Sequence, residues 1–228
     1  HEDCRRQRQM CIRDRISSTK TAFAALKDDG SVVTWGRDNR GGDSSSVSND
    51  LQSGVSQIFS SGYAFAALKD DGSVVTWGGS VTWAGSEYDV KISSVSAALQ
   101  SGVTQIFSTS SSFAALKEDG SVVTWGYIYS GADSSTVSAD LQSGVTQIFS
   151  TSDAFAALKE DGSVVTWGSS DDGGDSSSVS NDLQSGVTQI FPSGGAFAAL
   201  KEDGSVVTWG SSYSGGDSSS VSTDLQSG

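Results

Sequence analysis

Cysteine and histidine are nearly missing from this 228-residue sequence, and Cys4, Cys11 and His1 all precede the first recurring pattern at Ile16. From Ile16 onward there is no thiol and no imidazole. That excludes from this body a Cys/His nucleophile and base, a zinc site of the usual Cys/His type and a disulfide framework. Long apolar runs are absent as well. The longest cover about five residues, far short of the roughly 20 that a membrane-spanning helix needs, so no membrane insertion is expected. Basic residues are scarce, 14 Lys and Arg against 27 Asp and Glu, for a net charge of −13. Nucleic acids and anionic membranes are held by clustered Lys and Arg that displace counterions, so neither is an expected partner. A neutral or basic protein is the partner the charge permits, and oligomeric state is left open.

What is present is repetition. The stretch FAALKDDGSVVTWG at Phe23 to Gly36 returns at Phe65, Phe113, Phe155 and Phe197, with spacings of 42, 48, 42 and 42. Six extra residues between Gly78 and Lys91 account for the 48. Each copy reads as a β-hairpin: the apolar run AFAAL, a charged link, then the β-branched run SVVTW. In the link, Asp28 and Asp29 suit the αR positions of a type I turn and Gly30 the positive-φ position of the bulge that follows. A strand-rich unit of this period points to propeller blades.

Residues 1–15 share nothing with the repeats and carry five Arg against three acidic residues. Met10 to Arg15, MCIRDR, resembles an adaptor sequence read through in one frame, so 1–15 is taken as a non-native or disordered tail. The body, 16–228, is five periods that begin and end inside a unit, as expected of a piece of a longer array.

Between hairpins, each repeat has a variable loop, a segment such as GGDSSSVSNDLQSG, and a run such as GVTQIFS. The spacing of Val47 and Leu51 with a glycine at Gly54 allows one or two helical turns, and an irregular outer strand fits nearly as well. Val103, Gln105 and Phe107 alternate with Thr104 and Ile106, the pattern of a short strand.

Ala25, Leu26, Asp29, Gly30, Val33, Trp35, Gly36, Gly41 and Gly42, with their counterparts in the other copies, resemble the regulator of chromosome condensation repeat. The likeness covers Ile16 to Gly228. It departs at Ala22 and Phe23, where that family has His-Thr, and at Gly41 to Ser44, where it has Gly-Gln-Leu-Gly. The resemblance implies a β-propeller, an intracellular setting and a scaffolding role, as in propellers carried beside catalytic domains.

Three constellations invite chemical readings. Five acidic hairpin turns (Asp28 and Asp29, Asp70 and Asp71, Glu118 and Asp119, Glu160 and Asp161, Glu202 and Asp203) would have to supply a partly buried carboxylate pair to act in acid-base catalysis, whereas turn residues face solvent. A sialidase-type Asp box is also excluded, because it places Trp three residues after the Gly and Gly30 to Trp35 is five. The Asp of GGDSSS (Asp43, Asp133, Asp175, Asp217) offers oxygen ligands for calcium, but alternating ligands and a closing acid are missing, and Asp-Ser is ordinary turn chemistry. Trp35, Trp77, Trp125, Trp167 and Trp209 read as packing between repeats rather than a ring of ligand platforms. No catalytic residue, metal or cofactor is assigned, and no enzyme is expected.

The expected fold is therefore all-β, tandem 42-residue repeats forming a β-propeller or an arc of one. The expected role is a non-catalytic scaffold presenting a loop-rimmed surface to a protein. The alternative is a surface-exposed glycan-binding or adhesive repeat protein. If the three strands form a meander, the loop after the first strand and the exit from the third share one end of the sheet. Sequence variation collects at that end, together with Tyr63, Trp83, Tyr88, Tyr127, Tyr129 and Tyr213, aromatics of the kind that anchor interfaces.

Overall fold

The computed structural model describes residues 16–79, 82–83, 86–87 and 97–226. The tail read from the sequence lies outside them, as does most of the six-residue insertion. Five three-stranded antiparallel sheets follow one another: β1 to β3 (Ile16–Ser18, Ala22–Leu26, Val32–Gly36), β4 to β6 (Val55–Ser60, Ala64–Lys69, Val74–Gly78), then, after the two-residue strands β7 (Thr82–Trp83) and β8 (Ser86–Glu87), β9 to β11 (Val103–Ser108, Ser112–Lys117, Val122–Gly126), β12 to β14 (Val145–Ser150, Ala154–Lys159, Val164–Gly168) and β15 to β17 (Val187–Pro192, Ala196–Lys201, Val206–Gly210). Each sheet keeps sequence order, the middle strand pairing with both neighbours.

The hairpin is as read. Gly30 N–H donates to Lys27 O (3.0 Å) and Lys27 N–H to Ser31 O (2.8 Å), closing a turn whose glycine has φ of 75°. The glycine serves a second purpose, because a Cβ there would stand 2.8 Å from the Gly54 nitrogen of the passing linker. That linker is tied to the hairpin by Val32 N–H to Leu51 O (2.9 Å) and Val55 N–H to Gly30 O (3.0 Å).

The first strand departs from simple alternation. In β12, Val145 faces Lys159 and Gln147 faces Leu158, so Thr146 is the extra residue of a β-bulge, and β4 and β15 carry the same shift. A bulge reverses the facing of every later residue. Val145 and Ile148 are both buried while the two residues between them are exposed, which strict alternation forbids. The segment after GG resolves as single 3-10 turns, Ser45–Val47 and its counterparts, and not as an outer strand.

The middle strand is mostly apolar, and in β5, β10 and β13 all of its residues but the ends are buried, as coverage of both faces requires. One face, Ala22, Ala24 and Leu26, packs with Val47 and Leu51 against Ile58, Phe65, Ala67 and Trp77 of the next sheet. The same core recurs where Ala114 and Leu116 meet Phe155 and Trp167, and where Ala154, Ala156 and Leu158 meet Phe197 and Trp209. Burying each phenylalanine contributes roughly 1.5–3 kcal/mol. The chain divides into two compact units, 1–106 and 107–228, so the first of these cores lies in one and the other two in the second.

Candidate functional site, the loop rim

A hydroxyl opens every loop between first and second strands: Thr19, Ser61, Thr109, Thr151 and Ser193. Thr151 accepts the Ala154 N–H (3.1 Å) and donates to Asp172 O in the exit loop (2.9 Å). Thr109 reaches Ser130 O (2.9 Å), Thr19 reaches Arg40 O (3.1 Å) and Ser193 reaches Ser214 O (2.8 Å) in the same way. The two variable loops of a repeat are thereby stitched together at one end, where the meander puts them. Neighbouring repeats are stitched too, by Lys20 N–H to Gly62 O (3.1 Å) in the first unit and by Ser110 N–H to Ser152 O (2.7 Å) and Ser152 N–H to Gly194 O (3.0 Å) in the second.

Each described exit loop is one 3-10 turn, at Asp38–Arg40, Ile128–Ser130, Ser170–Asp172 and Ser212–Ser214, closed by a left-handed glycine. The glycine lets a ring lie flat on the backbone. A Cβ on Gly41 would stand 2.5 Å from the Phe65 ring, and on Gly131 2.6 Å from that of Phe155. The carbonyls of the same residues take the indole N–H of Trp77 (3.1 Å), Trp167 (3.0 Å) and, at Gly173, Trp209 (3.0 Å). Four of the five tryptophans are core, as expected. Trp35 is not, and stays half exposed at 45%.

The rim aromatics fall into different environments. Tyr63 is half-buried, with the Arg40 guanidinium 4.0 Å from its ring centre and Lys20 Nζ donating to its hydroxyl (3.2 Å). It is part of the packing between the first two repeats. Tyr127 and Tyr129 meet edge to face at 5.4 Å, and Tyr129 is 67% exposed beside exposed Ile128. Tyr213 is fully exposed at the corresponding loop two repeats later. Asp153, Asp171 and Asp172 occupy the intervening repeat, with Asp153 accepting from Ser130 Oγ (2.6 Å) and Asp172 from Ser169 Oγ (2.7 Å). Trp83 lies on β7, and neither its side chain nor Tyr88 is among the described residues. The sequence reading overlooked the stitching hydroxyls, Arg40, Lys20 and Ile128. A hydroxyl at the same place in all five loops was the available signal.

The opposite end is chemically uniform. Asp29 accepts both the N–H (2.9 Å) and the hydroxyl (2.6 Å) of Ser31, and Asp71, Asp119, Asp161 and Asp203 repeat this with the serine two residues on. The serine hydroxyl first, then its N–H, holds each of these exposed carboxyls below the usual aspartate range. A carboxylate so held is a weak base. In the GGDSSS segments, Asp43, Asp133, Asp175 and Asp217 accept the N–H two residues on (2.8–3.1 Å). Among the described residues no group of three His, Cys, Asp or Glu converges as a metal centre would require.

No protein-family model matches the chain, and no curated protein matches it. Solved structures do. Prp20p of Saccharomyces cerevisiae, whose structure is described with its binding to Gsp1p and histones, aligns over 86% of this chain and 56% of its own, at 17% identity and TM-score 0.52. Yeast RCC1 (Prp20) bound to Kap60 aligns over 86% and 55%, at 18% identity and TM-score 0.51. Human WBSCR16 aligns over 86% and 61%, at 20% identity and TM-score 0.50. This chain spans little more than half the length of these proteins. At such identities the likeness establishes fold alone: the chain is all-β, and its five sheets are blades of the β-propeller kind.

Proposed function

We propose that this chain is a non-catalytic scaffold of the regulator of chromosome condensation type, whose loop rim binds a protein. The observation that carries this reading is the contrast between the two ends of the blades. The hairpin end repeats one exposed carboxylate turn five times, whereas the rim presents different side chains on each blade, held by main-chain and hydroxyl bonds. Ile128, Tyr129 and Tyr213 supply exposed anchors, and half-buried Tyr127 packs edge to face against Tyr129. Asp153, Asp171 and Asp172 lie between them, and with the net charge of −13 they favour a basic partner surface. Prp20 also binds proteins, Gsp1p, histones and Kap60 among them.

The test is a screen of displayed protein domains, followed by Tyr127→Ser, Tyr129→Ser and Tyr213→Ser in one chain. The expected result is at least a tenfold loss of affinity, about 1.4 kcal/mol, with Asp119→Lys, Asp161→Lys and Asp203→Lys changing little. Loss on the second set and none on the first would reject the rim.

A further inference from the structure

One tyrosine of the rim carries its cations within the chain. The Arg40 guanidinium lies 4.0 Å from the centre of the Tyr63 ring, while Lys20 Nζ stands at 4.9 Å and donates instead to the hydroxyl (3.2 Å). The planar head takes the ring face and the compact ammonium the polar edge. In residues 107–228 the rim has a ring without the cation. Tyr129 is 67% exposed, beside exposed Ile128 and against the edge of Tyr127. Its loop is already seated on the following blade, where Ser130 Oγ donates to Asp153 (2.6 Å), so a neighbour is in place and the ring still faces solvent. Asp153 is tied in turn to the exit loop of its own blade: its carbonyl accepts from Ser169 N–H (2.9 Å), and Thr151 Oγ1 donates to Asp172 O (2.9 Å). Asp153, Asp171 and Asp172 therefore stand on the loops next to Tyr129. Ser130 and Ser169 each occupy one oxygen of Asp153 and Asp172, and a carboxylate has acceptor sites beyond that, enough for a guanidinium. The loops at this end, 108–111, 127–130, 150–153, 169–172, 192–195 and 211–214, contain no Lys or Arg. The basic residues of 107–228 are Lys117, Lys159 and Lys201, all at the hairpin end, where the last two donate to Asp140 O and Asp182 O.

On the reading that the rim is the binding face, we infer that this part of it takes an arginine-bearing segment of the partner, a guanidinium lying on Tyr129 with its N–H edge turned to the carboxylates of Asp153, Asp171 and Asp172. Charge complementarity selects the occupant. Loops 127–130, 150–153 and 169–172 hold three negative charges and no positive one, and exposed Ile128 offers apolar surface to the stem of a long side chain. Arginine is preferred to lysine because its planar head covers a ring and still pairs with a carboxylate in its own plane, whereas an ammonium does one or the other. The chain's own cations divide in that way at Tyr63. The hydroxyl bonds from Ser130 and Ser169 hold two of the carboxylates before the partner arrives, which lowers the cost of ordering them on binding.

Fluorescence anisotropy of the full chain with two labelled peptides of equal length and charge, one alternating Gly and Arg and the other Gly and Lys, tests this. The arginine peptide should bind at least about threefold more tightly than the lysine peptide, and more weakly as salt rises. Tyr129→Ser should weaken the arginine peptide about threefold. Asp153→Asn, Asp171→Asn and Asp172→Asn together should weaken it at least about tenfold. Asn offers the same acceptor oxygen to Ser130 and Ser169, and Tyr129 is exposed, so these changes leave the fold intact. Asp119→Asn, Asp161→Asn and Asp203→Asn together take the same charge from the hairpin end and should alter binding by less than about twofold. An arginine peptide that does not bind, a lysine peptide that binds as tightly, or equal losses from the two triple variants overturns the inference. Failure of the rim reading itself is distinguishable. A protein partner that loses affinity on Tyr127→Ser, Tyr129→Ser and Tyr213→Ser but keeps it when Asp153, Asp171 and Asp172 are changed to Asn leaves the rim as the binding face and rejects arginine as what it recognises.

Discussion

Replacing Gly131 by alanine should separate the two reasons for a glycine at the end of the exit loop. The first is backbone: at φ of 98° a left-handed alanine costs about 1–2 kcal/mol. The second is the neighbour. The new Cβ would stand 2.6 Å from Cδ2 and 2.8 Å from Cε2 of Phe155, a fully buried ring stacked on Trp167 at 5.3 Å that has nowhere to turn. Overpacking of this kind costs about 1–3 kcal/mol. If the loop withdraws instead, the Trp167 N–H to Gly131 O bond of 3.0 Å is weakened, at about 0.5–1.5 kcal/mol. Gly131→Ala should therefore cost about 2–5 kcal/mol, towards the lower end if the loop withdraws. Gly215→Ala is the control, because its φ of 94° is nearly the same and no atom lies within 4 Å of its Cβ position. It should lose only the backbone part, about 1–2 kcal/mol. Urea unfolding of both variants at low protein concentration, read as midpoint shifts at constant m, gives the difference directly. Equal losses would refute the idea that the glycine exists to seat the neighbouring ring.

Thr151→Val removes the partner of Ala154 N–H and the donor to Asp172 O, and should cost about 1–3 kcal/mol in the same urea assay; a neutral result would mean that the loops are not held by this hydroxyl. Because Asp29, Asp71, Asp119, Asp161 and Asp203 are lowered in the folded chain, they add stability above the ordinary aspartate value of about 3.9, and that stability is lost as pH falls through their folded values. Replacing Ser31, Ser73, Ser121, Ser163 and Ser205 together by alanine should lower the melting midpoint at neutral pH and flatten its fall in acid, and equal acid slopes would contradict this. Arg40→Ala should cost about 0.5–1 kcal/mol by removing the cation from the Tyr63 ring, 4.0 Å away. A loss as large in the Tyr63→Ala background would show that the two do not interact.

The hairpin was legible because its information is local: Asp-Asp-Gly between an apolar and a β-branched run admits one turn type. The burial of Trp77, Trp125, Trp167 and Trp209 was legible from their common register with a following Gly. The bulge at Thr146 was not, since nothing in VTQIFS distinguishes a strand that alternates from one that changes phase after its second residue. The exposure of Phe23 and Trp35 was also hidden, because the same sequence is buried in the other four copies and half exposed in the first. At the rim, sequence variation located the end of the sheet, but the fate of each aromatic depended on its neighbours. Tyr63 is enclosed because Arg40 and Lys20 occupy the preceding blade, while Tyr129 and Tyr213 have no such cation beside them among the described residues.

The most direct test of the scaffold reading is a hydrogen-exchange footprint of the chain with a bound protein partner. The account predicts slowed exchange at the exit loops 127–130 and 212–214 and at the stitched loop 151–153, with no change at the hairpin turns 117–121, 159–163 and 201–205. Protection of the hairpin turns with unchanged exchange at the exit loops would contradict it.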